Sequence, residues 1–288
     1  MLKRALSAAL VLAMLASLFL FALPSAAVAE TDVRALFLNV GKADAALLFL
    51  GDRRYLVDTG KSGNHDELSL ALSIYQIERL DGVIITHTDK DHVGGLKKLL
   101  KSGAKVDMLY AAKLNSEPSE DAHPVYEASQ KYVTPLSWLV AGDELDLGNG
   151  CTARVLGPLS LDETNENNNS LVLDVQTPEG RLLLTGDMET EEETELLAGG
   201  LVPNADVLKV AHHGDDDSTS KAFVLAVSPQ WAVISTSSAD EPDTPDSKVI
   251  SRLWEVKSGV AVTQDASLGI MVTLKGGVAS ADKLDVSQ

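Results

Sequence analysis

Apolar residues fall in short blocks along most of the chain, broken by polar and turn-forming residues. Arg34 to Val40, Ala45 to Leu50 and Arg54 to Val57 are rich in Leu, Val and Phe, and Gly41-Lys42-Ala43-Asp44 and Gly51-Asp52-Arg53 separate them with turn chemistry. Three short strands are predicted. From Glu67 to Leu80 the spacing changes: Leu68, Leu70, Ala71, Leu72, Ile74 and Ile77 recur near the helical period, and Gly82 to Thr86 follows as a buried strand. A helix is expected at Gly95 to Ser102, polar turns around Asn115 to His123, and a helix running to Tyr132. The second half repeats the theme with no detectable internal repeat. Strands are predicted at Thr152 to Leu156, Leu171 to Thr177, Arg181 to Thr185, Val207 to Val210, Ala232 to Ser235 and Leu268 to Leu274, and helices at Glu189 to Leu197, Lys221 to Val227 and Lys248 to Val256. Residues after Leu274 read as a frayed tail. Strands first, then strands mixed with helices in each half, predict two packed sheets with helices outside.

The first 29 residues are of another kind. Lys3 and Arg4 give a positive start, Ala5 to Leu23 is uncharged and mostly apolar, and Ala27-Val28-Ala29 supplies the small-x-small pattern of a signal-peptidase site. A cleaved signal peptide and export are expected, with an uncleaved anchor as the alternative, since the apolar run approaches the ~20 residues that span a bilayer. Cleavage would leave no stable membrane insertion. No linker divides the remainder, so residues 30–288 are expected to form one domain.

Composition narrows the chemistry. A hydrophobic fraction of 45% with 23% charged residues describes a globular chain with a core of normal size. The net charge of −18 argues against non-specific nucleic-acid binding, which Lys and Arg drive by displacing counterions. The single cysteine, Cys151, excludes an internal disulfide and a Cys-rich zinc module, leaving any metal to His and carboxylates.

Thr86-His87-Thr88-Asp89-Lys90-Asp91-His92-Val93-Gly94-Gly95 is the most informative stretch. It joins a predicted strand to a predicted helix. In an extended segment alternate side chains share a side, which aims His87, Asp89 and Asp91 together with His92 at the turn. Two aspartates so close are costly unless a cation offsets them. Leu182 to Asp187 is an apolar strand ending in a carboxylate, Val207 to His213 one ending in paired imidazoles, and Leu56-Val57-Asp58-Thr59-Gly60 has the same form. Four strands finish in His or Asp, and four of the six histidines lie there. His65 and His123 sit in polar loops and are expected at the surface.

Asp58 in L-V-D-T-G, H-T-D-K-D-H at 87–92, L-L-T-G-D ending at Asp187 and H-H-G at 212–214 resemble the metallo-β-lactamase-fold hydrolases, and more narrowly their extracytoplasmic ComEC-type branch. Asn39 to Ala45 is similar to that branch's D-V-G-Q-G-D-A opening, and Asn167 to Leu173 to its N-x-N-S-L-V-L strand. The resemblance implies a four-layer αββα sandwich of the α/β class with two divalent ions, Zn²⁺ or Mn²⁺, at one edge. It would assign His87 and Asp89 to one ion, Asp91 and His92 to the other, Asp187 as the bridge, and His212 or His213 to the second ion. Asp58 would orient the ligand loop. Asp91, His212 and His213 are the catalytic candidates, and Asn169 and Glu189 the candidates for touching substrate.

Three departures from the branch bear on function. Thr244-Pro245 stands where His-Pro is common, Asn39 and Lys42 replace Asp and Gln, and Asp215, Asp216 and Asp217 follow H-H-G where Ser and Lys are usual. Such acids would repel a phosphate chain. The expectation is an exported phosphodiesterase acting on a small or zwitterionic ester, such as phosphocholine of cell-surface polymers. The alternatives are a ComEC-like nuclease with DNA as substrate, a lactonase or thioesterase, and a catalytically weakened binding module.

Overall fold

The computed structural model describes residues 32–113 and 123–286. The leader expected at residues 1–29 and nearly all of the polar turn around Asn115 lie outside them. Three apolar blocks give the meander β1 (Val33–Leu38), β2 (Ala46–Leu50) and β3 (Arg53–Val57), each pairing antiparallel with the next. The chain continues through α1 (His65–Ile74), β4 (Arg79–Leu80), β5 (Gly82–Ile85), the short α2 (Lys90–Val93), α3 (Leu96–Lys101), β6 (Lys105–Val106), β7 (Leu109–Ala112), α4 (Pro124–Tyr132) and β8 (Leu136–Leu139).

The second half runs β9 (Glu144–Gly148), β10 (Cys151–Gly157), β11 (Val172–Thr177), β12 (Gly180–Leu184), α5 (Thr190–Ala198), β13 (Val207–Lys209), α6 (Lys221–Val227), β14 (Trp231–Ile234), α7 (Ser247–Glu255) and β15 (Gly259–Val262). β16 (Gly269–Lys275) and β17 (Val278–Leu284) then return to the first sheet. That sheet has the order β17-β16-β1-β2-β3-β5-β7-β8, and the second β15-β14-β13-β12-β11-β10-β9; β4 and β6 form a small separate pair.

Neighbouring residues on one strand point into different layers, and both are buried. Phe37, Leu48, Val57 and Ile84 meet Val155, Leu173, Leu184 and Val233 between the sheets. Leu36, Leu47, Leu56 and Val83 face outward against Leu68, Leu99 and Ala128 of the first helical layer. Leu183, Leu208 and Ala232 face Leu196, Phe223 and Leu253 of the second. Burial on both faces is why these strands read as continuous apolar blocks. The architecture is the αββα sandwich.

Two expectations fail for identifiable reasons. The helix predicted to reach Leu80 ends at Ile74, because Gln76 turns left-handed (φ 53°), with its amide donating to the Ser73 carbonyl and the Ile77 amide to the Leu72 carbonyl. This paired closure ends the helix ahead of β4. The tail is no tail: Gly276 and Gly277 both take positive φ, the geometry of a tight hairpin turn, and Val278 to Leu284 pair along β16.

The strands β3, β5 and β7 run parallel in one sheet, and β12, β13, β14 and β15 in the other. The segments leaving β5, β12 and β13 meet at one edge, where the Leu171 amide donates to the Thr86 carbonyl across the two sheets (2.9 Å). No helix among the described residues is long and apolar enough to cross a membrane.

Candidate metal centre

The centre starts from Asp58, a buried residue held left-handed (φ 59°) directly after β3. Its Oδ1 accepts the Thr86 amide (2.8 Å), and its Oδ2 accepts both the Thr86 hydroxyl and His92 Nδ1 (2.8 Å each). A carboxylate can only accept, so His92 carries its proton on Nδ1 and presents the Nε2 lone pair. The Thr86 hydroxyl has spent its proton on Asp58, so its oxygen accepts from His87 Nδ1 (3.1 Å), and His87 too presents Nε2. Gly95 lets this turn close: a Cβ there would stand 2.2 Å from the Thr59 carbonyl oxygen.

The second sheet supplies the other half. His213 Nδ1 lies 2.8 Å from the Ser235 carbonyl, which fixes the same tautomer and leaves Nε2 at 3.1 Å from Asp187 Oδ2 and 3.6 Å from Asp91 Oδ2. His92 Nε2 lies 3.0 Å from Asp187 Oδ2. The consecutive left-handed residues His212 and His213 (φ 42° and 54°) turn the two rings to different places. His213 is fully buried, whereas His212 is partly exposed and rests its Nδ1 on Asp217 (2.9 Å).

Buried polar atoms nearly always have a partner, and those that lack one need an explanation. His87 Nε2, His92 Nε2, His213 Nε2 and Asp187 Oδ1 are all buried without a hydrogen-bond partner. His87, His92 and Asp187 bring ligand atoms within 4.8 Å of one another, and so do Asp91, His92 and His213. Three imidazole lone pairs and two carboxylates in that space fit a divalent cation.

Without one, protons carry the compensation. Burial disfavours charged imidazole at His92 and His213, but facing Asp187 outweighs it, raising His92 well above its ordinary value and His213 to about 9. Burial drives His87 the other way, helped by His92. Burial also acts to raise Asp187 and Asp91, yet the facing histidines hold both below the usual carboxylate range.

The remaining candidates divide. Asp91 is half-buried beside His213, while Asp89 is exposed at the N-cap of α2 and falls in none of these ligand sets. Glu189 caps α5 and accepts from Asn165 and Asn167 Nδ2 (2.7 and 2.6 Å), with His212 at 3.6 Å. Asn169 is buried and spent on its own loop, accepting the Asp162 amide and donating to the Asp162 carbonyl (2.9 Å each). Asn167 is therefore the amide that faces Glu189 and His212. Thr244 is buried against Thr236 (2.6 Å between hydroxyls). Of the three acids after H-H-G, Asp216 is paired to Lys248 and Arg252 and Asp217 to His212, so the charge of these two is partly offset by neighbours. His123, expected at the surface, is instead buried: its Nδ1 accepts the Val125 amide at the start of α4 and its ring meets Trp138 edge-on.

Sequence reasoning missed Asp44 and Lys209. Lys209 Nζ is buried against Asp44, 3.7 Å from Asp187 Oδ1 and 3.2 Å from the Gly186 carbonyl. Burial disfavours the Lys209 ammonium, but Asp44 prevails and holds its pKa above normal. A lysine inside the apolar run Val207-Leu208-Lys209-Val210-Ala211 was the signal available.

Residues 38–237 match the profile of the Metallo-beta-lactamase superfamily. The chain belongs to this superfamily. ComE operon protein 3 of Bacillus subtilis (strain 168) is 35% identical over 179 residues, covering 62% of this chain and 22% of that protein. Recombination protein 2 of Haemophilus influenzae is 31% identical over 231 residues, covering 78% of this chain and 27% of that protein. These relatives place the chain in the ComEC-type branch of the metallo-β-lactamase superfamily, and it spans about a quarter of the length of the curated relatives it matches. The fold is shared with CmlA, a diiron β-hydroxylase from Streptomyces venezuelae, at a TM-score of 0.56 and 13% identity over 85% of this chain and 54% of that one.

Proposed function

We propose that the chain is an exported, divalent-metal-dependent phosphodiesterase, with a leader at 1–29 and one hydrolase domain from residue 30. The observation that carries the reading is the convergence of three partnerless imidazole nitrogens with Asp187 and Asp91, each imidazole fixed in the ligating tautomer by a group behind it. Asp187 belongs to ligand sets with His87 and His92 and with His213, the property a bridging carboxylate needs. Bound there, two ions, Zn²⁺ or Mn²⁺, would supply Lewis acidity that acidifies water and polarises a phosphoryl oxygen. The mixed donors suit either ion.

The chain's own residues do the rest. Asp58 and the Ser235 carbonyl hold His92 and His213 in place. Lys209 offsets the excess negative charge of Asp44 and Asp187 from beneath. His212, backed by Asp217 on Nδ1, keeps Nε2 at the mouth, 3.4 Å from the Asn167 amide, where it can give a proton to a leaving oxygen. Glu189 lies beside it, suited to the cationic end of a zwitterionic ester such as phosphocholine.

One observation favours the second reading, a nuclease: Asp216, expected to repel a phosphate chain, has its charge answered by Lys248 and Arg252. A substrate panel decides. Bis-p-nitrophenyl phosphate, p-nitrophenyl phosphocholine, linear DNA and a lactone are assayed with Mn²⁺ and with Zn²⁺, beside Asp187→Ala. Turnover of the first two, lost in the variant, is expected. Turnover of the lactone alone refutes the phosphodiesterase, and no metal uptake after reconstitution refutes the enzyme.

A further inference from the structure

Beyond Asp91 the centre opens into a depression of about 670 Å³ lined by Lys61, Ser62, Gly63, Lys90, Asp91 and Gly94. That is the volume of a small-ligand pocket. All six residues lie on segments that follow β3 and β5 of the first sheet. Gly94 lets the two segments meet: a Cβ there would stand 2.1 Å from the Lys90 carbonyl oxygen and 2.8 Å from the Ser62 amide nitrogen. Gly63 faces open space, with nothing within 4 Å of where its Cβ would lie.

Lys61 is half-buried and Lys90 exposed, and neither ammonium has a carboxylate partner among the described residues. Acids are plentiful: 42 Asp and Glu stand against 24 Lys and Arg, and Lys97, Lys221, Lys248 and Lys283 each rest on one. Asp91, the acid in the same wall, lies against His213 instead (3.6 Å). Two cations are left beside the proposed ions. Segments leaving the second sheet give the mouth the opposite sign, since Glu189 and Asp217 bring carboxylate oxygens within 4.8 Å of a His212 nitrogen.

A mouth with acids on the loops of one sheet and lysines on the loops of the other selects by charge pattern as well as by reacting group. Glu189 suits the cationic end of an ester, and Lys61 and Lys90 suit an anionic arm. An exposed ammonium gains little from a free anion in water. It gains more when the anion is tethered to a group already seated at the metals, because the second contact is then intramolecular. No aromatic ring lines the depression among the described residues, so nothing there stacks on a base. We propose that Lys61 and Lys90 form a subsite for a second phosphate, and that the substrate is a phosphodiester with a polyol-phosphate arm. The subsite rests on the phosphodiesterase reading and names its substrate class.

The test titrates Zn²⁺-loaded protein by calorimetry with glycerol 3-phosphate, glycerol 1,3-bisphosphate, thymidine 5′-monophosphate and thymidine 3′,5′-bisphosphate. Glycerol bisphosphate is expected to bind about 10-fold tighter than the monophosphate, and the advantage to shrink with added salt. In Lys61→Gln/Lys90→Gln the advantage falls below about 2-fold. Thymidine bisphosphate binds no tighter than glycerol bisphosphate. A loaded protein indifferent to the second phosphate, or an advantage that survives the double variant, overturns the subsite. A gain confined to the thymidine pair overturns the polyol arm. Metal analysis of the same samples separates the two readings: a chain that takes up no ion refutes the hydrolase and the subsite with it.

Discussion

Two buried carboxylates beside β12 serve opposite purposes. At its start Arg181 meets Asp174 on β11 through two hydrogen bonds of 2.5 Å, Gln176 adds a third at 2.9 Å, and the Arg181 amide is taken by Asp206 (2.8 Å). Both Asp174 oxygens are answered by the chain itself. Three residues past the other end, Asp187 is as deeply buried, yet its Oδ1 has no partner and the atoms facing it are imidazole Nε2 nitrogens that can hold either a proton or a metal. The β11–β12 pair thus shows a carboxylate that stabilises and a carboxylate that waits for a ligand. Burial alone does not separate them; the state of the partner atoms does.

The comparison breaks most sharply by substitution. Asp187→Ala is expected to abolish metal retention and to lower kcat/KM by at least ~10³-fold while the fold persists, checked by metal analysis and circular dichroism. Asp174→Ala should do the reverse, keeping metal content and costing about 2 kcal/mol in denaturant unfolding, since Arg181 can turn to water but loses its bidentate acceptor. Equal metal loss in both variants would end the distinction.

A smaller effect is expected one layer behind the ligands. Asp58→Asn leaves one acceptor oxygen for three donors, the Thr86 amide, the Thr86 hydroxyl and His92 Nδ1–H, so metal affinity should fall about 10- to 100-fold in chelator competition. Acidity gives a third handle. In the metal-free protein the raised His213 pKa of about 9 means that its contribution is fully present below the unfolded value near 6.5 and is lost as pH rises through about 9. Chelated protein should therefore lose up to about 3 kcal/mol between roughly pH 6.5 and 9. Metal-loaded protein should lack that slope, and parallel thermal melts with and without chelator read the difference. The smallest effect belongs to Asp216→Asn, which gives up exposed pairs with Lys248 and Arg252 and should cost about 0.5 kcal/mol with metal content unchanged.

The layered fold was legible because burial on both faces leaves apolar blocks that cannot be loops, and the donor loop because His87, Asp91 and His92 are neighbours in sequence. What escaped was assembled at long range. Nothing local shows that Ser235 holds His213, that Thr86 relays Asp58 to His87, or that Lys209 pairs with a carboxylate 165 positions earlier. Alternation along an extended loop aimed Asp89 inward, but α2 begins directly after it and leaves it exposed as the cap. His123 shows the opposite error, since a polar neighbourhood in sequence hid a buried capping role. The tail expected after Leu274 is a strand because Gly276-Gly277 turn the chain back along β16, paired left-handed glycines being a hairpin's signature.

The donors of the centre are drawn from both sheets: His87, Asp91 and His92 follow β5 of one, and Asp187 and His213 follow β12 and β13 of the other. Neither sheet holds a complete ligand set with all three imidazoles. An ion seated there acts as a non-covalent staple between the halves, and its binding energy is realised only after they have docked. Loss of such an ion would then remove a link between the two sheets together with the proposed activity.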